Sequence, residues 1–281
     1  MSHKTCIIIS GPTAVGKTDY GLELAQKYDT QIISADSRQC YKELNIGVAK
    51  PSAKQLESIP HYFINSHSIH EDVNVKVFEQ YALDAIQKIF ETNDVAVMVG
   101  GTGLYIKAFC DGIDDVPLMN ETIRNEITES YKSKGLEWLQ KEIKKQDPLY
   151  FGSGEIQNPQ RMIRALEVKL TTGNSILYFH SGKKIKRDFK IKKINLEIPR
   201  NELYERINRR VDTMMNAGLL KEAESLFPYR HLNALQTVGY KELFDFMEEK
   251  ISLDKAIEDI KTNTRHFAKR QITWFKKFNG S

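Results

Sequence analysis

Between residues 75 and 90, Val77, Phe78, Tyr81, Ala82, Ala85, Ile86 and Ile89 recur at a spacing near 3.6. That period gathers them on one face and predicts a helix packed along a single side. Residues 17–28 read the same way, with Leu22, Leu24 and Ala25 apolar against Glu23 and Gln26. The short segments 7–9, 31–34 and 94–99 are too brief for helices and predict strands, and Leu104 opens a further helical stretch. Strands alternating with helices across short turns define the α/β class, a parallel sheet with helices on both faces. From about residue 116 the strand signal stops. Helical patterns take over at 122–133, 136–144 and 159–170, broken at Gly152-Ser153-Gly154 and Thr171-Thr172-Gly173-Asn174. A strand returns at 192–198, with helices from Asn201 onward. The simplest organisation is a core of residues 1–115 and 190–281 interrupted by a mainly helical insertion over 116–189.

The turn after the first strand carries the most specific chemistry. Residues 7–18, IIISGPTAVGKT, hold a complete G-x-x-x-x-G-K-T signature directly behind an apolar run. The loop from Gly11 through Pro12, Thr13, Ala14 and Val15 to Gly16 turns so that its N–H groups point at one anion. Lys17 brings a cation to the terminal phosphate, and Thr18 offers a hydroxyl to Mg²⁺. The bland alternative is a strand-to-helix turn with a chance Lys-Thr, but strand, turn and amphipathic helix occur in the required order. The core is therefore P-loop NTPase-like. The motif names a diphosphate or triphosphate, not a reaction.

In parallel α/β sheets the binding crevice lies outside the carboxyl ends of the strands. That edge should gather the phosphate loop, Asp36-Ser37 and the turn Gly100-Gly101-Thr102-Gly103. Asp36 could ligate Mg²⁺, cap a helix, or act as a general base toward an attacking amine or hydroxyl. The glycine-rich turn could be a tight connection only, or could let Thr102 approach a substrate closely. Arg206 and Arg210, four residues apart on a predicted helix, share one face that is either solvated or turned to an anion.

Composition changes this picture little. Hydrophobic residues at 41% and charged residues at 28% suit a globular protein, and no apolar run approaches the length of a membrane span. The N-terminal apolar residues run straight into the phosphate loop as a core strand rather than a cleavable signal, so a cytoplasmic address is expected. Cys6, Cys40 and Cys110 are odd in number and form no C-x-x-C, which argues against disulfides or structural zinc. Charge distribution says more than the net +4. Residues 183–193 hold seven basic side chains and one acid, and residues 265–277 set Arg265, Lys269, Arg270, Lys276 and Lys277 among His266, Phe267, Trp274 and Phe275. Basic residues interleaved with aromatics suit a nucleic-acid backbone with unstacked bases nearby, and equally a solvated face.

The strings GPTAVGKT, SADSRQCYKELNIGVAKP, VMVGGTGLYIKAF, NPQRMIRALEV, TVGYKEL and TRHFAKRQITWF together resemble the tRNA dimethylallyltransferase family, in the family's order and over nearly the whole chain. The resemblance implies transfer of a dimethylallyl group from dimethylallyl diphosphate to N6 of adenosine 37 in tRNA. The loop would then grip diphosphate as a leaving group, with Lys17, Mg²⁺ and one or both of Arg206 and Arg210 balancing its charge. It implies Asp36 as base or hydrogen-bond acceptor for N6, with Thr102 beside the same atom. On the RNA side it implies Ser37, Arg38, Gln39 and Arg124, together with Gln160, Arg161, Met162, Ile163 and Arg164 on a helix at the anticodon stem-loop. That helix is also an ordinary amphipathic one whose Met162, Ile163 and Leu166 must pack somewhere. Gln236, Lys241, Arg265, Lys269 and Arg270 complete the implied tRNA surface. Eukaryotic relatives add a Cys/His zinc module that this sequence lacks, so it resembles the bacterial form, expected as a monomer.

Three other readings remain open at this stage. A P-loop small-molecule kinase would use the same loop for ATP, although residues 95–99 run into Gly-Gly-Thr rather than a metal-binding acid. An adenylate prenyltransferase would share the loop and the aspartate without needing an insertion or a basic tail. A binding module without catalysis would have no use for Lys17, Thr18 and Asp36 together.

Overall fold

The computed structural model describes residues 4–117 and 120–279. It falls into two compact units, Met1–Gly112 with Ile185–Ser281, and Ile113–Lys184. These junctions lie a few residues before the expected boundaries at 115/116 and 189/190.

The first unit is built on a five-stranded sheet. Its strands are β1 (Thr5–Ser10), β2 (Ile32–Ala35), β3 (His61–Tyr62), β4 (Val95–Gly100) and β5 (Lys190–Asn195). All pairings are parallel, in the order β3-β2-β4-β1-β5. Alternation along β1 explains why helices cover both faces. Cys6 and Ile8 point with Ile33 and Met98 toward Phe78, Ala82, Ile86 and Ile89 of α3 (Val75–Thr92). Ile9 points the other way, joining Ile32 and Val97 against Leu22 and Ala25 of α1 (Lys17–Lys27). A strand covered on both sides reads as a continuous apolar run, as residues 6–9 do. α3 begins where Asn74 accepts hydrogen bonds from the Lys76 and Val77 N–H groups, and its stripe follows the predicted period. β5 is one of the two edge strands, opposite β3, and starts two residues before the predicted position. Its lysines suit an edge, where charge discourages a further strand from adding. The three cysteines are buried and free.

The remaining helices of this unit are α2 (Ala53–Ser58), α4 (Gly103–Asp111), α8 (Arg200–Asn216), α9 (Leu219–Leu226), α10 (Tyr240–Met247) and α11 (Leu253–Asn279). α11 buries Ala256, Ile260, Ala268, Gln271 and Phe275 along one stripe.

The second unit is helical: α5 (Glu121–Gln146), α6 (Pro148–Ser153) and α7 (Pro159–Thr172). Gly135, at φ 76°, interrupts α5 where the sequence separates two helices. Ile127, Leu139 and Ile143 of α5 pack with Met162, Ile163 and Leu166 of α7. Met162 and Ile163 are 0% and 1% exposed, which corrects their place among the RNA-contact residues: the anchoring face of an amphipathic helix cannot also face a ligand. Beside this core lies a buried carboxylate. Glu167 accepts from Arg124 at 3.0 Å, from Arg164 at 2.8 Å and from the Asn120 N–H at 3.0 Å. Glu167→Ala strands two partly buried guanidinium groups, so a loss of about 3 kcal/mol is expected in denaturant unfolding followed by Trp138 fluorescence.

Candidate active site

β1, β2 and β4 end at one edge of the sheet, where Ala35 is in register with Gly100 and Ile9 with Val99. The phosphate loop leaves β1 there, Asp36 follows β2 and Gly101-Thr102 follow β4. The expected crevice is therefore assembled by strand register alone. Gly16 takes φ 100° as it enters α1, and Ala14 also lies in the left-handed region at φ 65°. A non-glycine residue held there costs roughly 1–2 kcal/mol, strain of the kind tolerated where successive N–H groups must converge.

Lys17 Nζ donates to the Pro12 carbonyl at 2.7 Å, folding the cation over the loop. Burial lowers its pKa to about 8, against the opposing attraction of Asp36, and nearby Arg210 lowers it further. Arg210 Nη1 reaches Thr13 Oγ1 at 3.3 Å, and burial pulls its own pKa down while Asp19 supports the charge. Two desolvated cations on one short loop are an unfavourable arrangement that an incoming polyanion relieves. Arg206, by contrast, is 45% exposed and pairs with Glu202 at 2.7 Å, though it still borders the same cavity.

Asp36 Oδ1 accepts from the Arg38 N–H at 2.9 Å and the Gln39 N–H at 3.3 Å. No helix follows Asp36 for it to cap: residues 37–40 form a turn that Oδ1 closes, both bonds fall on that one oxygen, and the turn does not consume the other. Thr102 Oγ1 accepts from the Ser37 N–H at 3.1 Å, which leaves its hydroxyl proton free to donate. The Thr102 N–H bonds to the Ala35 carbonyl at 3.2 Å. Asp36 and Thr102 are thereby held together across the ends of β2 and β4.

Two cavities open on these groups. One, of about 880 Å³, is bordered by Lys17, Thr18, Asp19, Arg206 and Arg210. The other, of about 530 Å³, is bordered by Ser37, Arg38, Thr102, Gln236, Lys241 and Arg270. Thr13, Asp36, Arg210 and Phe267 line both, so the cavities meet at the aspartate and the phosphate loop. Their other shared wall is the segment 45–50. Glu222 accepts from the Ile46 N–H at 2.8 Å, the Gly47 N–H at 2.9 Å and the Tyr240 hydroxyl at 2.6 Å. A side chain at position 47 would meet the Tyr240 ring at 2.6 Å, so only glycine admits this contact.

Several expected RNA-side residues are already engaged. Gln39 spends its amide on Ser34 and the carbonyls of Val48 and Ala49, and Arg38 donates to the Asn233 carbonyl at 2.9 Å. Gln236 donates to the Arg230 carbonyl. Arg265 bonds Asn208 and Thr262, away from both cavities, and Lys269 borders a separate one of about 350 Å³. In the helical unit Gln160 and Arg161 are exposed, Arg161 pairing with Glu155. Phe267, noted in the sequence only as one of the aromatics among basic residues, lines both cavities, and Gln271 went unnoticed. The available signal was a buried, uncharged polar residue inside an apolar helix stripe, visible only once α11 is placed on the sheet.

The fold and the site define an α/β phosphate-loop protein whose anion cradle faces a fixed carboxylate. The chain belongs to the IPP transferase family, whose model matches residues 39–278. It is 47% identical to the tRNA dimethylallyltransferase of Christiangramia forsetii, over 96% of this chain and 90% of that one. It is 46% identical to that of Flavobacterium johnsoniae, over 98% and 91%. Among solved structures it resembles the tRNA isopentenylpyrophosphate transferase of Bacillus halodurans at 35% identity and TM-score 0.70, covering 97% of this chain and 87% of that one. It also resembles a eukaryotic dimethylallyltransferase acting on tRNA at 29% identity and TM-score 0.79, covering 96% and 69%.

Proposed function

We infer that this protein transfers the dimethylallyl group of dimethylallyl diphosphate to N6 of adenosine 37 in tRNA, releasing diphosphate. The observation that carries the reading is the position of Asp36, on the wall shared by a cationic cavity and a second cavity bordered by Thr102. The cradle takes the diphosphate; the adenine enters from the Thr102 side. The allylic C–O bond breaks with its electron pair leaving on diphosphate, where Lys17 and Arg210 offset the developing charge. N6 forms the new C–N bond and its proton passes to Asp36. The exocyclic amine of adenine is a weak nucleophile, so orientation by Asp36 and Thr102 should contribute more than proton removal.

Mg²⁺ fits the donors present. Among the described residues no group of three or more His, Cys, Asp and Glu could hold a metal, and the cradle offers the Thr18 hydroxyl near Asp19 and Asp36. Such a set suits an ion bound largely by substrate phosphates and water. Bound there, Mg²⁺ would supply charge to the leaving group. The RNA ligand is taken to be the anticodon stem-loop, with exposed Gln160 and Arg161 as contacts. No helix among the described residues is long and apolar enough to cross a membrane. The enzyme is taken to work as a monomer in the cytoplasm.

Incubation with Mg²⁺, dimethylallyl diphosphate and unmodified tRNA, followed by nucleoside mass analysis, tests the reading. One added isoprenyl unit on adenosine supports it; product on free AMP instead, or ATP consumption alone, overturns it. A pH dependence follows from Lys17. It carries its charge below about pH 8 and loses it above, so the KM for dimethylallyl diphosphate should climb up to about tenfold per pH unit beyond that point. A flat KM between pH 7 and 9.5 would remove Lys17 from the ground-state contact.

A further inference from the structure

One side chain joins the two halves of the site. Gln271 is 6% exposed, deep in the apolar stripe of α11. Its Oε1 accepts from the Thr13 N–H at 2.8 Å, and its Nε2 donates to the Gly101 carbonyl at 2.9 Å. The amide orientation is fixed by its partners, since an N–H requires an oxygen and a carbonyl requires an N–H. Thr13 also receives Arg210, and Gly101 directly precedes Thr102, which holds the Ser37 N–H beside Asp36. A Cβ at position 101 would stand 2.3 Å from Gln271 Nε2, so the close approach needs glycine. Among the described residues no other side chain hydrogen-bonds both the phosphate loop and the Gly101 turn.

We propose that Gln271 is a positioning residue that sets the separation between the diphosphate cradle and the Asp36–Thr102 pair. Its amide borders the larger cavity, but both of its hydrogen bonds go to the protein's own turns. Through Thr13 it fixes where the leaving group sits, and through Gly101 it fixes where the acceptor amine is held. The allylic carbon and N6 must approach to about 3–3.5 Å in line, and an error near 1 Å costs on the order of 100-fold in rate. The rigid amide therefore converts two separately folded turns into one reaction geometry. This rests on the transferase reading given above.

Gln271→Met keeps length and apolar packing while removing both hydrogen bonds. The single-turnover rate on tRNA at saturating dimethylallyl diphosphate should fall roughly 10- to 100-fold. The affinity for pyrophosphate with Mg²⁺, titrated calorimetrically, should change less than about threefold, because loop, Lys17 and Arg210 remain. An unchanged rate, or a loss of pyrophosphate affinity matching the loss of rate, overturns the proposal. Gly101→Ala gives a second route that leaves Gln271 in place. Its methyl displaces the amide, so its rate should fall in parallel. Adding it to Gln271→Ala, which makes room for the methyl, should cost nothing more; multiplied losses would contradict the coupling. If wild-type enzyme forms no prenylated adenosine, the transferase reading itself fails and takes the proposal with it. Wild-type product with unaffected variants overturns the positioning role alone.

Discussion

Lys17→Ala is expected to lower kcat/KM for dimethylallyl transfer by about 1,000-fold while leaving tRNA affinity nearly intact. The ammonium is desolvated, sits over the loop by its bond to Pro12, and has a pKa near 8 that an arriving polyanion would raise. Removing one preorganised donor from developing negative charge costs roughly 10²- to 10³-fold, and here the lost group is also a full charge. Arg210, partly buried, is left as the cation that touches the loop, through Thr13. The check is steady-state kinetics alongside a tRNA gel-shift titration. Equal losses in both would show that the cradle and the RNA surface are not separate devices.

Asp36→Asn should slow the chemical step by roughly 10²- to 10⁴-fold, the range for removal of a general base. Asparagine rather than alanine is informative, because its carbonyl can still accept from the Arg38 and Gln39 N–H groups and preserve the turn. Only the charge and basicity are lost. A secondary effect has a definite sign: Asp36 raises the Lys17 pKa, so its neutralisation should move the rise in KM for dimethylallyl diphosphate to lower pH. Single-turnover measurement separates the two effects. An unchanged chemical rate would assign Asp36 to turn structure alone.

The elements that the sequence announced are those whose information is local. The stripe from Val77 to Ile89 and the run Cys6–Ile9 each need only one period to be read, and both stand where the pattern put them. β5 was legible as a strand but misplaced by two residues, since its lysines at an edge break the apolar run that marks a buried strand. β3 has only two residues, too few to carry any period. In the site, the phosphate loop, Asp36 and Thr102 were accessible because each follows a strand end. Gln271 was not, because its meaning lies in two turns more than 150 residues away in sequence, at Thr13 and Gly101. Met162 and Ile163 failed for the opposite reason: the contiguous motif from Gln160 to Arg164 spans more than one turn of helix, so it includes the buried stripe that Met162 and Ile163 supply as well as the exposed face of Gln160 and Arg161.

The sheet order has a consequence for how the chain is made. β1 lies between β4, some ninety residues later, and β5, which follows the helical unit. When the first 112 residues have left the ribosome, β1 still lacks one neighbour and the phosphate loop lacks its α8 and α11 partners. Synthesis at about 5–20 residues per second leaves that unpaired edge exposed for many seconds. A chain that stops before Gln271 would hold the complete P-loop signature with Lys17 and Arg210, but no bridge from Thr13 to the Gly101 turn. The nascent enzyme should therefore bind its prenyl donor before it can transfer from it efficiently, which waits until almost its last helix has emerged.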